Sequence, residues 1–236
     1  LDFFLTELIR FHNKKYKSEN FISHLSTQEK EKKQEYILIT KTDSCMSFLG
    51  NRLDGQIIRV IGDGGSNVGD NMYSGKIIIE GNVNEGAGTY MNGGEIIIQK
   101  NADADLGYSI QNGKIIVYGN IGKNCGHMMM GGKIIIKGNA HNHIGTAMGD
   151  GKIIIEGNVT SYAGDQMSGG CLLIKGDTGN YLGKEMSGGK ISVHGKTGRY
   201  VGSDMKGGHI YLHGNDAEKR TYVSFKQMLT MNKKVK

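Results

Sequence analysis

The side chains with chemical reach are a few histidines, cysteines, carboxylates and tyrosines. His141-Asn142-His143 is an HxH pair on one side of a short extended segment, half of a tetrahedral metal site. No second ligand pair accompanies it. Where the surrounding pattern next recurs, the matching positions are Thr160 and Tyr162, so these histidines read as solvated turn residues. His194 and His213 share that same spacing, with His209 close in sequence, and are the chain's metal candidates. No carboxylate shares their positions to orient the rings, so no bound metal is expected. Cys45, Cys125 and Cys171 lie far apart and form no CxxC, which points away from a disulfide framework or a zinc site. Asp165, Glu185 and Asp204 supply carboxylates of the kind a glycosidase pairs, but on what read as exposed loops without a cleft. Tyr162, Tyr181 and Tyr200 recur at one spacing and form the best candidate binding ladder, which stacking for stability explains equally well.

That recurring interval organises the whole chain. GKIIIEGN at Gly75–Asn82 returns as GKIIIKGN at Gly132–Asn139 and as GKIIIEGN at Gly151–Asn158. The segment Gly62–His213 divides without insertion into eight equal blocks, which begin at Gly62, Gly81, Lys100, Gly119, Gly138, Gly157, Gly176 and Gly195. A worn ninth block, Asp43–Ile61, precedes them. Self-similarity at a short fixed period is the signature of a solenoid, here of eight to nine coils. Within a block, places eight and fourteen are always Gly: Gly69 and Gly75, Gly88 and Gly94, Gly107 and Gly113, Gly126 and Gly132, Gly145 and Gly151, Gly164 and Gly170, Gly183 and Gly189, Gly202 and Gly208. These are expected corners with positive φ. Place two is Asn or Asp from Asp63 to Asp177 and fails only at Lys196, a column suited to a hydrogen-bonded ladder.

Strand alternation predicts which positions face inward. Places fifteen and nineteen are mostly charged (Lys76 and Glu80, Lys152 and Glu156), so places sixteen and eighteen are inside, as Ile77 with Ile79. Places seven and eleven are also assigned inside. The first includes Cys125, expected to be an inert buried thiol, and the second is a column of Met broken only by Ile110. Cys171 takes an outward lysine position, with nothing nearby in the sequence to lower its pKa. Place seventeen must then face out, yet it reads Ile78, Ile97, Ile116, Ile135, Ile154 and Leu173. Six stacked apolar residues make a stripe of interface size, to be covered by a partner, a second copy or the chain's own ends.

The ends differ in character. Residues 1–42 read as an N-terminal cap: a helical spacing over Leu1–Tyr16, a capping box at Ser26-Thr27-Gln28-Glu29, and a strand at Tyr36–Thr40. Residues 43–214 read as the β-helix, and residues 215–236 as a C-terminal cap or tail with a helical face over Ala217–Met231. The 38 glycines are periodic between Ile-rich triplets and proline is absent, which excludes collagen and disorder. The net charge of +6 is mild and scattered, so no nucleic-acid partner is expected. No apolar run is long enough to span a membrane and LDFFLTELIRF does not resemble a secretory signal, so no membrane association and a cytoplasmic location are expected. The chain does not begin with Met, which allows for a start upstream.

The spacing Gly62-xx-Gly65-xxx-Gly69 recurs at Gly119-xx-Gly122-xxx-Gly126, Gly176-xx-Gly179-xxx-Gly183 and Gly195-xx-Gly198-xxx-Gly202. This resembles the glycine-patterned (GXGXG) right-handed β-helix shared by the C-terminal domain of glutamate synthase and the β-helical subunit of formylmethanofuran dehydrogenase. Val68–Asn82 and Tyr181–Gly195 look most like the dehydrogenase protein, and the resemblance covers about residues 50–214. It implies a right-handed parallel β-helix that packs against catalytic subunits or domains and carries no cofactor or catalytic residue of its own. The leading expectation is therefore a scaffold of an oxidoreductase complex, bound to catalytic subunits or to a copy of itself through the outer Ile face. The alternatives are a stand-alone glutamate-synthase-type structural domain and a carbohydrate-active or ligand-binding β-helix.

Overall fold

The computed structural model describes residues 35–39, 47–214 and 221–224. Among them one sheet runs in chain order through β1 (Glu35–Ile39), β2 (Ile57–Ile61), β3 (Lys76–Ile79), β4 (Glu95–Ile98), β5 (Lys114–Val117), β6 (Met130–Ile136), β7 (Asp150–Ile155), β8 (Cys171–Ile174), β9 (Lys190–Val193), β10 (His209–Leu212) and β11 (Thr221–Ser224). From β2 to β10 every neighbour is parallel, and partners lie one repeat away, as Lys76 opposite Glu95 and Glu95 opposite Lys114, save at the start of β6, where Met130 meets Asp150 across a register shift. The chain is a parallel β-solenoid of about eight turns whose coil is the sequence repeat.

The inward assignments hold. The strands alternate half-exposed and buried, and Ile77, Ile79, Ile134 and Ile136 have no exposed surface. Val68, Leu106, Cys125 and Ile144 fill place seven, while Met72, Met91, Met129, Met148, Met167 and Met186 fill place eleven as core. A further inward column escaped the sequence reading. Val83, Ala102, Ile121, Ala140, Val159 and Thr178 at place three are buried and joined by single parallel bridges. The short, mixed side chains there lack the uniformity that marks the Ile and Met columns.

The asparagine column is a ladder of mixed character. The backbone N–H of Asn120 donates to Asn101 Oδ1 at 2.9 Å, that of Asn139 to Asn120 Oδ1 at 2.8 Å, and so on to Lys196 N–H on Asp177 Oδ1 at 2.7 Å. Each rung needs a side-chain oxygen from one coil and only a backbone donor from the next, so Asp serves as well as Asn. Lys196, last of the column among the described residues, donates through its backbone alone, a role open to any residue with an N–H.

Both glycine columns have positive φ, and so do the non-glycine residues at places six and ten, such as Tyr162 (57°) and Gln166 (56°). Steric clearance separates the two kinds of corner. A Cβ on Gly164 would lie 2.4 Å from Ile191 Cδ1 in the next coil, and one on Gly75 would lie 2.3 Å from the Gln56 carbonyl oxygen. At place fourteen the methionine column adds to the pressure, because Met72 Cε sits 2.5 Å from where a Cβ on Gly94 would be. Asn, Asp and Tyr tolerate the left-handed region where their side chains leave the coil.

At the ends, β1 fulfils the expected strand. It pairs in parallel with β2, Glu35 opposite Ile57, across a connection slightly longer than one repeat. The helical face expected over 217–231 is corrected in part. Thr221–Ser224 is a strand antiparallel to β10, with Tyr222 opposite Tyr211. The last parallel strand leaves a row of unpaired N–H and C=O groups, and a Thr-Tyr-Val-Ser segment of high β propensity satisfies it. The helices expected over 1–16 and 26–34 lie outside the described residues.

Candidate functional site

The outer face of the sheet is built by strand alternation. Ile78, Ile97, Ile116, Ile135, Ile154 and Leu173 stand half-exposed in register on β3 to β8, each opposite the next. A charged row runs along each margin of this stripe. On one margin Glu95 bridges Lys76 and Lys114 at 3.0 and 2.9 Å, and on the other Glu156 bridges Lys137 and Lys175 at 2.9 and 3.1 Å. The hydrogen bond from Lys114, helped by Lys76, holds the Glu95 carboxyl below the usual carboxylate range. Lys137 and then Lys175 do the same for Glu156. An apolar centre within a polar rim has the anatomy of a protein interface. Arg59 replaces the aliphatic residue on β2 and pairs with Glu80 at 2.6 Å, which ends the stripe on that side.

Cys171 faces outward, half-buried, in register between Lys152 and Lys190. Cys125 is enclosed, and burial pushes its thiol far above the ordinary range, as expected of an inert core cysteine.

Two of the histidines meet in the last coils. His194 and His213 come within 4.7 Å, ring to ring, and Ser192 Oγ lies 3.0 Å from His213 Nε2. His209 is not beside them as expected. It begins β10 while His213 follows its end, so the two flank the strand about 13 Å apart at the rise of extended chain, and His209 packs toward Tyr211. Among the described residues no three His, Cys, Asp or Glu side chains could hold one metal ion.

His143 is more than a solvated turn residue. Its ring stacks on Tyr162 at 4.8 Å, and Tyr162, Tyr181 and Tyr200 continue the stack at 4.9 Å per step with planes within 15°. Within the ladder the ring faces are spent on one another, while Tyr200 at its end is 57% exposed. Beside it Asp165 corrects the exposed-loop expectation: the residue is 8% exposed and its Oδ1 is buried without a hydrogen-bond partner. Burial raises the Asp165 pKa against the pull of Lys184, which itself pairs with Glu185 at 2.8 Å. Asp204 is exposed. Glu185 adds to the rise at Asp165 by like-charge repulsion.

One surface went unrecognised in the sequence. Tyr73, Tyr90, Met128 and Met130 are among the more exposed apolar side chains, Met130 at 56%, on the segments between the two glycine corners. Tyr90 meets Tyr108 edge to face, and Tyr108 Oη lies 3.4 Å from Met128 Sδ. The sequence signal for it was that the place of Tyr90 and Met128 carries Gln166, Glu185 and Asp204 in later coils.

Among the described residues no helix is long and apolar enough to cross a membrane. Constant register, two glycine corner columns and one continuous apolar outer stripe define a parallel β-solenoid of glycine-patterned type. The chain belongs to the GXGXG motif family, whose model matches residues 23–235. None of the curated proteins compared with it gives a match.

Proposed function

We propose that the chain is a non-catalytic β-helical scaffold within a multi-subunit oxidoreductase, as its resemblance to the β-helical subunit of formylmethanofuran dehydrogenase and the glutamate synthase C-terminal domain implies. The observation that carries this reading is the outer stripe from Ile78 to Leu173, half-exposed on six adjacent strands. A hydrogen-bonded sheet with that stripe is preorganised, so a catalytic subunit docking on it meets a surface with little conformational freedom to lose. Because each side chain is already partly buried, covering it adds only a fraction of the roughly 1.5–3 kcal/mol that burying a fully exposed one would contribute.

The test is the double substitution Ile116→Lys and Ile135→Lys. Neither side chain fills the core, so circular dichroism should show the β-helix intact. Size-exclusion chromatography of the natively expressed protein should show its complex lost, because the lysines would be buried unpaired in the contact. A variant that unfolds would place the stripe inside the fold. One that still assembles would place the interface on another face, and loss of a homodimer alone would make the partner a second copy.

A further inference from the structure

Charge on the outer face is not evenly distributed. On β2 to β5 its ionic side chains are largely paired off: Arg59 with Glu80, and Lys76 and Lys114 with Glu95. On β6 to β9 and the residues that close their coils, Lys133, Lys137, Lys152, Lys175 and Lys190 outnumber the carboxylates, Glu156 and, at the start of β7, Asp150, whose Oδ1 accepts from the Gly151 N–H. Glu156 is already shared by Lys137 and Lys175. Lys133, Lys152 and Lys190 have no ion pair among the described residues. The apolar strip Ile135–Ile154–Leu173 thus runs between two lysine rails: one of unpaired lysines broken at Cys171, the other net positive by a single charge because Lys137 and Lys175 share Glu156.

We propose that this half of the face seats an amphipathic helix of an acidic partner, lying along the solenoid axis with carboxylates on both flanks of its apolar stripe. The inference rests on the docking reading above and supplies the chemistry of the partner. The geometry is commensurate. The rails are four positions apart along an extended strand, about 13 Å, and a helix with its side chains is about 10–12 Å across. Strands repeat about every 4.8 Å and a helix turns about every 5.4 Å, so successive turns meet successive coils for three or four turns before drifting out of step. A second copy fits poorly. Aligned head to head it sets lysine against lysine, and aligned head to tail it meets the half whose carboxylates are already paired. A nucleic acid would leave the Ile strip without a partner, and a membrane would find side chains half-sunk in the sheet rather than free to insert.

The full 236-residue chain is titrated with labelled synthetic helices of about 18 residues. Each carries Leu along one stripe, with either Glu or Lys on both flanks, and binding is read by fluorescence anisotropy. The Glu-flanked helix should bind at least about tenfold tighter than the Lys-flanked one and weaken as salt rises. The triple variant Lys133→Glu, Lys152→Glu, Lys190→Glu should reverse that preference. Equal binding of the two helices, no binding of the Glu-flanked helix, or tighter binding to phosphatidylserine vesicles or a single-stranded oligonucleotide would each overturn the proposal. Assembly of the natively expressed protein separates the two readings. If the triple variant assembles normally while the Ile116→Lys/Ile135→Lys variant does not, docking stands and the acidic helix falls. If both assemble, docking on this face falls with it.

Discussion

Gly145 and Gly164 occupy the same corner in adjacent coils with nearly the same backbone, φ 67° and 69°. They differ in what a methyl group would meet. At Gly164 a Cβ lies 2.4 Å from Ile191 Cδ1, whereas at Gly145 the nearest atom is Ile153 Cδ1 at 3.5 Å. The difference arises because Leu172 stands where the other coils place isoleucine, and its Cδ2 stays 3.9 Å away. Alanine in the left-handed region costs about 1–2 kcal/mol, offset by about 0.4–1 kcal/mol from the reduced freedom of the unfolded chain. Gly145→Ala should therefore destabilise by roughly 1 kcal/mol. Gly164→Ala should lose roughly 1–3 kcal/mol more, because Ile191 is wholly buried and must leave its rotamer or move its neighbours. Urea unfolding followed by circular dichroism gives the two midpoints, and adjacency makes any partial unfolding of the solenoid common to both variants. Ile191→Val removes the offending Cδ1, so Gly164→Ala should cost less in that background than in the wild type. Coincident midpoints for the two alanine variants, or no coupling to Ile191, would refute steric exclusion as the reason this column is glycine.

Two other perturbations address the tyrosine ladder and the acid beside it. Asp165 has a raised pKa, so the folded state binds its proton more tightly than the unfolded chain does; stability from this group is full at low pH and declines as pH rises through the folded pKa. Asp165→Asn should accordingly raise the melting temperature at neutral pH, with the gap closing on acidification; a gap that widens in acid would contradict the burial argument. Tyr181→Ala removes both of its 4.9 Å stacks and should cost about 1–3 kcal/mol with a loss of near-ultraviolet dichroism, whereas an unchanged melt would make the ladder decorative.

The period was legible because a solenoid repeats its environment, so each coil restates the same solution and the columns average out accidents. Ile77 and Ile79 could be placed inside from the charges on either side of them, and Met72 through Met205 from their constancy. Features that depend on neighbouring coils were harder to see. Asp165 reads as a loop acid because its own coil is polar there, and its burial depends on packing beyond that sequence neighbourhood. Place three, with Ala102 beside Ile121, varies too much in size to stand out as core. Thr221–Ser224 belongs to a segment with helical spacing, and the open edge of β10 decides its form. The excess of Lys133, Lys152 and Lys190 was present in the letters, but reading each column for its common type conceals a gradient along the axis.

The constant register has a consequence for how the chain reaches its fold. From β2 to β10 the two halves of every pairing are one coil apart, whatever the total number of coils. Parallel sheets usually form slowly because distant strands must find one another, and the entropy of closing the intervening loop is lost first. Here each closure spans the same short loop, and a finished coil presents the next with an edge already in register. The array can therefore grow from one end as it leaves the ribosome, with its time to completion set by the addition of single coils rather than by a search through the whole chain.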